Sequence, residues 1–274
     1  ADTAVDIFIY DTSKDSDGGA WRKRTTHTSW YNETLGTTTR GTRREFPAVA
    51  VIVAESSRVT IYDGDDPDLP MWMVFNGGAN GINNVPLLQY PGNDYHPRML
   101  NGVLVIGQDT GGDNWGNPII NFISEYIVRA DPNVGEGGIF NGGVAQRNDS
   151  VGFNSPGTLV INNSLIRDVA MIVLPDAYVD PATGLPKPTI AFATSNGVNV
   201  VYGDADDTVC TVSGVSTFEV RFYNGGNRIV FREGGNAISY GPLPTASSVN
   251  FASWREGYFN ETTTFPSTLD QSNI

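Results

Sequence analysis

The sequence predicts an all-β protein, and three observations support this prediction. A hairpin pattern recurs at 48–64, 189–206 and 218–235, where two strands of alternating apolar residues flank a polar or glycine-containing turn. The 31 glycines and 16 prolines suit a chain in which tight turns separate short strands. The sequence has no convincing stretch of helical periodicity. Since one such hairpin is not stable alone, its repetition implies that sheets pack on sheets.

Alternation of apolar and polar residues places the strands in the first half of the chain. In order, the predicted strands are 5–11, the two arms of the hairpin 46–63, 70–75, 99–108 and 119–129. The loops between them are rich in Gly, Asn, Pro, Asp or Thr, and they cover 12–19, 25–44, 63–68, 76–97 and 109–118. Such residues favour turns because their backbones or side chains satisfy turn geometry.

The second half continues the pattern after a Gly- and Asn-rich loop at 131–156. Its predicted strands are 157–162, 165–174, four or five strands within 189–235, and a short strand that begins at residue 238. A Pro-rich excursion at 176–188 interrupts them. We expect a single domain over residues 1–266, and we interpret the polar residues 267–274 as a linker or tail.

Units of this pattern begin near five positions, which are Val5, Ala48, Gly102, Thr189 and Phe218. Repeated units with loop insertions are typical of a β-propeller, so the sequence predicts a propeller of about five blades. A β-sandwich is the main alternative, because it also combines short alternating strands with long loops. With one cysteine the chain can form no intrachain disulfide, and we expect packing of the strands to stabilise the fold.

The charge of the chain limits its partners. A net charge of −13 and an isoelectric point near 4.4 argue against nucleic acid, since phosphate contacts need clustered Lys and Arg. No stretch approaches the roughly 20 apolar residues of a spanning helix, so we expect no membrane span.

One basic segment at 22–44 contrasts with the acidic chain, and we interpret it as an arm. Its cations are Arg22, Lys23, Arg24, Arg40, Arg43 and Arg44. The segment is a solvated arm, a patch that pairs with the acidic remainder of the chain, or an element that docks to an acidic neighbouring subunit. Our hypothesis assigns docking to these six residues.

The acidic turn at 63–68 is the candidate for a metal site. Its carboxylates are Asp63, Asp65, Asp66 and Asp68, and hard oxygen ligands suit calcium. The turn does not match a twelve-residue EF-hand loop, and a hydrated turn is the alternative. One cysteine and two histidines far apart in sequence argue against zinc. We assign no catalytic residue and no other cofactor, since no nucleophile motif is present.

Aromatic residues in loops are the candidates for ligand binding, and these are Trp115, Tyr95, Trp30 and Tyr31. An aromatic ring beside Asp and Asn offers a flat apolar face with polar edges, as sugar-binding surfaces do. We predict contact with a glycan or receptor at these rings. Packing of the rings inside the fold is the alternative.

Residues 13–21 (SKDSDGGAW) resemble the Asp-box of sialidase-like propellers, although the glycine falls one or two positions late. The resemblance implies that Asp15 or Asp17 caps its own turn and that the tryptophan packs between blades. It implies a folding device and no catalysis.

The N-terminal third is similar to the opening of large virion proteins of marine bacteriophages. The similarity rests on DIFIYDTSKDSDGGAWRKRT, TSWYNETLGT, REFPAVAVIVA and VTIYDGDDPDLPMWMVF, within residues 5–75. In such proteins a β-rich, propeller-like region is often followed by laminin-G or concanavalin-like modules. The resemblance implies a non-enzymatic tail or fibre protein of the virion that contacts other virion proteins, further copies of itself or a host-surface glycan. A sialidase-like or other glycan-degrading propeller and a glycan-binding module without turnover are the alternatives.

Overall fold

A computed structural model of the chain describes residues 4–78, 86–89, 94–109, 116–132, 138–154, 159–234 and 237–259. The protein is all-β, and four small sheets are arranged as a β-propeller. The predicted fold class is therefore confirmed, whereas the predicted number of blades is corrected from about five to four. Within the described residues, no helix is long and apolar enough to cross a membrane.

Blade 1 contains the two units that the sequence placed at Val5 and Ala48. Its strands are β1 (Ala4–Asp11), β2 (Val49–Glu55), β3 (Arg58–Asp63), β4 (Met71–Gly78) and the short β5 (Leu88–Gln89). Strand β1 pairs antiparallel with β2, and Ile7 lies opposite Val53. A long connection with two short 3₁₀ helices, Thr12–Lys14 and Ala20–Arg24, separates β1 from β2 in sequence. The two predicted units are one blade, which explains the lower count.

In blade 2, two strands joined by a turn replace the single long strand predicted at 119–129. Its strands are β6 (Asp94–Leu100), β7 (Val103–Asp109), β8 (Asn117–Asn121), β9 (Ile127–Ala130), β10 (Ile139–Phe140) and β11 (Phe153–Asn154), and a 3₁₀ helix lies at Val144–Gln146. The chain reverses between β8 and β9. The side-chain oxygen of Asn121 accepts hydrogen bonds from the backbone N–H groups of Ile123 and Ser124, and Glu125 has a φ of 57°. This local turn interrupts the alternation that suggested one strand.

Blades 3 and 4 follow the same antiparallel order. Blade 3 begins with β12 (Ile166–Ile172), leaves for a two-stranded hairpin of β13 (Val179–Asp180) and β14 (Leu185–Pro186), and returns as β15 (Thr189–Thr194), β16 (Gly197–Val201) and β17 (Val209–Ser213). Blade 4 contains β18 (Thr217–Tyr223), β19 (Arg228–Glu233), β20 (Ile238–Pro242) and β22 (Gly257–Phe259). Before β22 the chain adds β21 (Val249–Asn250), which is parallel to β17, and the helical turn α1 (Phe251–Trp254).

The hydrophobic cores lie between successive blades, and period-two alternation divides the side chains among them. In β7, Leu104 and Ile106 belong to the core shared with blade 1, and Val105 belongs to the core shared with blade 3. In β12, Val169 faces blade 2 and Ala170 faces blade 4. Successive residues of a strand point to opposite faces, so each central sheet is covered on both sides.

The first strand of each blade forms the inner edge of the propeller. Strand β1 contacts β6, β6 contacts β12, and β12 contacts β18. In the described part of the chain, no comparable contact joins β18 to β1. Among the residues that the structure describes, blade 1 therefore has one covered face and one open face.

The Asp-box-like loop connects blade 1 to blade 2 through Asp15. This buried carboxylate accepts hydrogen bonds from the Tyr10 hydroxyl (2.5 Å), the Trp21 indole N–H (2.7 Å) and the backbone N–H of Asn101 (2.8 Å). Trp21 is fully buried in the core shared by the two blades, as the resemblance implied. Asp17 caps its own turn by accepting from the N–H of Gly19 (3.1 Å).

Replacing Asp15 with alanine should lower the free energy of unfolding by about 3 kcal/mol or more, because three buried donors lose their acceptor. Urea denaturation followed by tryptophan fluorescence measures this loss. The control is Asp66→Ala, which removes an exposed carboxylate that accepts from the N–H of Asp68 in its own turn. Equal losses in the two variants would contradict a bridging role for Asp15.

Candidate functional site

A chain of alternating charges crosses the inner edges of the four blades. Arg98 of β6 donates to Asp6 of β1 (2.8 Å) and to Asp168 of β12 (3.1 Å). Arg221 of β18 binds the other oxygen of Asp168, which also accepts from the backbone N–H of Val220 (3.0 Å). Each of the four inner strands thus contributes one charged side chain to a single network.

This axial network brings together arginines and carboxylates of the kind that a sialidase-like hydrolase uses. The side chains of Asp168, Arg98 and Arg221 are only 6%, 13% and 14% exposed. Their charged groups bind one another. Removing one member of a buried ion pair is strongly destabilising, because the other charge is then left uncompensated. The geometry therefore favours a structural role in which the network links adjacent blades.

Asp6 is the member of the network with a clear change in acidity. Burial by itself raises the pKa of Asp6, but the nearby His96 (3.7 Å) and the charge and hydrogen bond of Arg98 bring the pKa below its ordinary value of 3.8. A carboxylate whose pKa is lower in the folded state than in the unfolded state stabilises the fold above pH 3.8. This contribution disappears as the pH falls through the folded-state pKa.

Acidification should therefore weaken the contact between blades 1 and 2. From about pH 5 to about pH 3, the wild-type free energy of unfolding should fall more steeply than that of Asp6→Asn, which has no carboxylate to protonate. Urea titrations at stepped pH values give both slopes. Asp68→Asn, at an exposed position outside the network, is the control and should keep the wild-type slope. Parallel slopes for wild type and Asp6→Asn would show that Asp6 does not contribute.

The structure corrects the interpretation of 22–44 as an arm, because this segment is folded into blade 1. Arg40 is fully buried. Its guanidinium donates to the carbonyls of Arg43 (2.8 Å), Trp72 (2.9 Å) and Arg44 (2.9 Å), and it lies 4.4 Å from the centre of the Trp72 ring. Burial lowers the pKa of Arg40 to about 10, while the nearby charge of Glu33 opposes this change. A buried cation with this many acceptors holds the segment in place.

The four other arginines of 22–44 also contact the protein itself, and the exposed basic positions of the segment are Lys23, Arg24 and Arg44. The contacts are Arg22 with the Phe46 carbonyl (2.7 Å), Arg24 with Asp17 (3.0 Å), Arg43 with Asp63 (2.7 Å) and Arg44 with the Tyr31 carbonyl. These acceptors fit the alternative in which the segment pairs with the remainder of the chain. Docking through the exposed Lys23, Arg24 and Arg44 stays a prediction.

Arg40→Ala should cost at least about 3 kcal/mol of folding free energy, since it leaves three buried or partly buried carbonyls without the guanidinium that donates to them. Thermal and urea unfolding provide the measurement. Lys23→Ala, in the same segment but exposed, should stay within about 0.5 kcal/mol of wild type. An Arg40→Ala protein with wild-type stability would return the segment to a docking role.

Arginine and backbone donors bind the carboxylates of the acidic turn. Arg43 bridges Asp63 and Asp65 at 2.7 Å to each, and Asp65 also accepts from the backbone N–H of Ala48 (2.8 Å). Asp66 accepts from the N–H of Asp68 (2.9 Å). Across the described ranges, no group of three or more His, Cys, Asp or Glu side chains could hold a metal ion. The geometry does not support the predicted calcium site.

The predicted aromatic contacts do not form a binding surface in the described structure. Trp115 lies outside the described residues. Tyr95 and Trp30 are fully buried, and the Trp30 indole N–H donates to the Phe122 carbonyl (2.8 Å). Tyr31 is half-buried, with the guanidinium of Arg44 5.6 Å from its ring centre. Rings in the core contribute packing, which was the alternative interpretation of these residues.

A groove between blades 2 and 3 carries two exposed aromatic rings that the sequence did not single out. This inter-blade groove is a cavity of about 400 Å³, and its lining includes Tyr126, Tyr178, Asp180, Lys187 and Asp207. Tyr126 and Tyr178 are 46% and 41% exposed. Tyr126 follows the β8–β9 turn inside what was predicted as one strand. Tyr178 precedes the hairpin formed by the Pro-rich excursion. Neither tyrosine therefore lies in a sequence pattern that indicates a binding site.

The charged residues of the inter-blade groove influence one another. Lys187 binds Asp207 at 2.5 Å. Burial raises the pKa of Asp207; Lys187 opposes this change, and the negative charges of Asp204 and Asp180 add to it. Burial also raises the pKa of the Tyr126 hydroxyl, and the charge of Asp207 contributes. The groove thus presents two aromatic rings beside carboxylate acceptors.

Comparison with known proteins leaves the chain without a family assignment. No family model matches it, and no curated protein matches it.

Proposed function

We propose that the chain is a non-catalytic structural domain of a bacteriophage virion, associated with the tail or a fibre. It joins neighbouring virion proteins through the open face of blade 1. The observation that carries the proposal is an apolar stripe on the inner strand of that blade. In β1, Val5, Ile7 and Ile9 are 40%, 58% and 64% exposed.

The alternation of side chains along β1 explains why no described part of the chain covers this stripe. Asp6 pairs with Arg98 of blade 2, and Phe8 lies 5.4 Å from the same guanidinium. The residues that alternate with them, Ile7 and Ile9, point to the other side of the sheet, away from blade 2. Apolar residues on an inner strand that stay in water favour association.

The open face continues across the neighbouring strands of blade 1. Val53 lies opposite Ile7, Val51 lies opposite Ile9, and Tyr62 lies opposite Val51. All three of these side chains are half-buried. The open face is therefore a broad apolar surface, defined by Val5, Ile7, Ile9, Val51, Val53 and Tyr62.

The occupant that fits the open face is an apolar β-sheet of a neighbouring virion subunit. Between blades 1 and 2, 2 and 3, and 3 and 4, the chain covers such faces with another sheet. Blade 4 of a second copy is a poor match, since its outward face carries the ion pair of Glu219 and Arg232 (3.2 Å). The resemblance of residues 5–75 to phage virion proteins supports a virion neighbour.

Purified particles of the phage that encodes the chain test this proposal. Cryo-electron microscopy should place the protein at the tail or a fibre. Incorporation of an Ile7→Lys/Ile9→Lys variant should fall at least about tenfold, since burying each isoleucine contributes about 1.5–3 kcal/mol. Thermal unfolding of the purified variant should match wild type, because both side chains are exposed.

The matched control is Leu69→Lys/Ile139→Lys, which adds the same charges at exposed apolar positions outside the open face. This control should assemble normally. Absence of the protein from the particle, or equal incorporation of the two double variants, would refute the proposal. A purified chain that dimerises and loses the dimer on Ile7→Lys/Ile9→Lys would replace the virion neighbour with a second copy.

A further inference from the structure

We infer that the inter-blade groove binds a neutral oligosaccharide, with the rings of Tyr126 and Tyr178 as its aromatic contacts. The inference deepens the proposed function and rests on it for its biological role, because it names the chemistry by which a virion domain would contact a host surface. The walls, floor and charges of the groove define the site.

The floor and the two rings provide apolar area of the kind that sugar rings contact. Leu159, Ile190 and Val201 line the groove, and each is at least 96% buried. Tyr126 and Tyr178 rise from different blades and keep nearly half of their surface exposed. At about 400 Å³ the cavity falls within the roughly 300–1,000 Å³ of small-molecule sites. An exposed aromatic face with a polar tip suits a ligand that is apolar on one side and hydroxylated on its edge.

The wall that carries Tyr178 is held in place before any ligand binds. The backbone N–H of Tyr178 donates to the carbonyl of Gly203 (2.9 Å), and its carbonyl accepts from Lys187 (2.8 Å). Within the hairpin, Asp180 caps the turn through the N–H of Ala182 (2.9 Å). Asn101 of blade 2 reaches across to the carbonyl of Pro186 (2.9 Å). A prearranged wall reduces the conformational entropy that binding would otherwise lose.

The charges of the groove select a neutral ligand. Asp180 and Asp207 line it, and its cation, Lys187, already binds Asp207 at 2.5 Å. An anionic sugar would meet this excess of negative charge. The hydroxyls of a neutral sugar can instead donate to the carboxylates, and hydrogen bonds to ionised acceptors are stronger than neutral ones.

An array of printed oligosaccharides, probed with the labelled 274-residue chain, tests the inference. The array should contain neutral hexose and N-acetylhexosamine oligomers beside sialylated and uronic acid oligomers. We expect binding to at least one neutral structure and none to the anionic set. Calorimetry with the neutral oligomer that binds should show a loss of about tenfold for Tyr126→Ala and for Tyr178→Ala.

Three further variants separate ring contact from damage to the fold. Tyr126→Phe and Tyr178→Phe keep the ring and should retain most of the affinity. Tyr223→Ala removes a half-buried tyrosine from blade 4 and should bind as wild type does. Lack of binding to every neutral oligomer, preference for anionic ones, or unchanged affinity in a Tyr126→Ala/Tyr178→Ala protein would overturn the inference. The array uses the isolated chain, so a negative array result would not contradict the virion proposal. Incorporation into the particle tests that proposal separately.

Discussion

A sheet that is apolar on both faces needs two neighbours, and the architecture of this protein follows from that requirement. In β7 the side chains of Leu104 and Val105 belong to different cores, so blade 2 is stable only with blades on both sides. Blade 3 meets the same condition. Blade 1 has an apolar face on each side but, among the described residues, a partner on one side only. The rule that builds the propeller therefore also indicates where the chain can associate.

Electrostatics adds a second set of links, and it explains why an acidic chain buries arginines. Arg147 is 1% exposed, binds Glu33 at 2.9 Å, and donates to the carbonyls of Val74 (2.7 Å) and Thr39 (2.8 Å). Arg40 uses Glu33 and backbone carbonyls in the same way. In both cases these accepting carbonyls belong to strand β4 and to the segment 22–44. Planar cations with five donors can join such segments, and lysine could not reach as many acceptors.

Local pattern was enough to predict the fold class and most of the strands, because alternation is a property of neighbouring residues, but it joined β8 and β9 into one strand. It was not enough to assign strands to blades. The pairing of β1 with β2 spans the long connection after Asp11, and no local signal reports such a distant partner. The same limit applies to the candidate site. Trp30 appeared in a polar, basic segment, yet that segment folds over the core, so the ring is buried. Tyr178 became part of the inter-blade groove only because the hairpin after it docks beside blade 2.

The division of the molecule into an ion-paired axis and open margins argues for binding at its edges. Along the axis, Asp6, Arg98 and Asp168 satisfy one another, so a ligand that used any of them would have to break a contact between blades. The inter-blade groove and the open face of blade 1 carry no such cost, since their rings and aliphatic side chains already face water. The two surfaces also belong to different blades. Attachment through blade 1 would therefore leave Tyr126 and Tyr178 accessible, which is the arrangement that a virion domain needs if it is to assemble and bind at the same time.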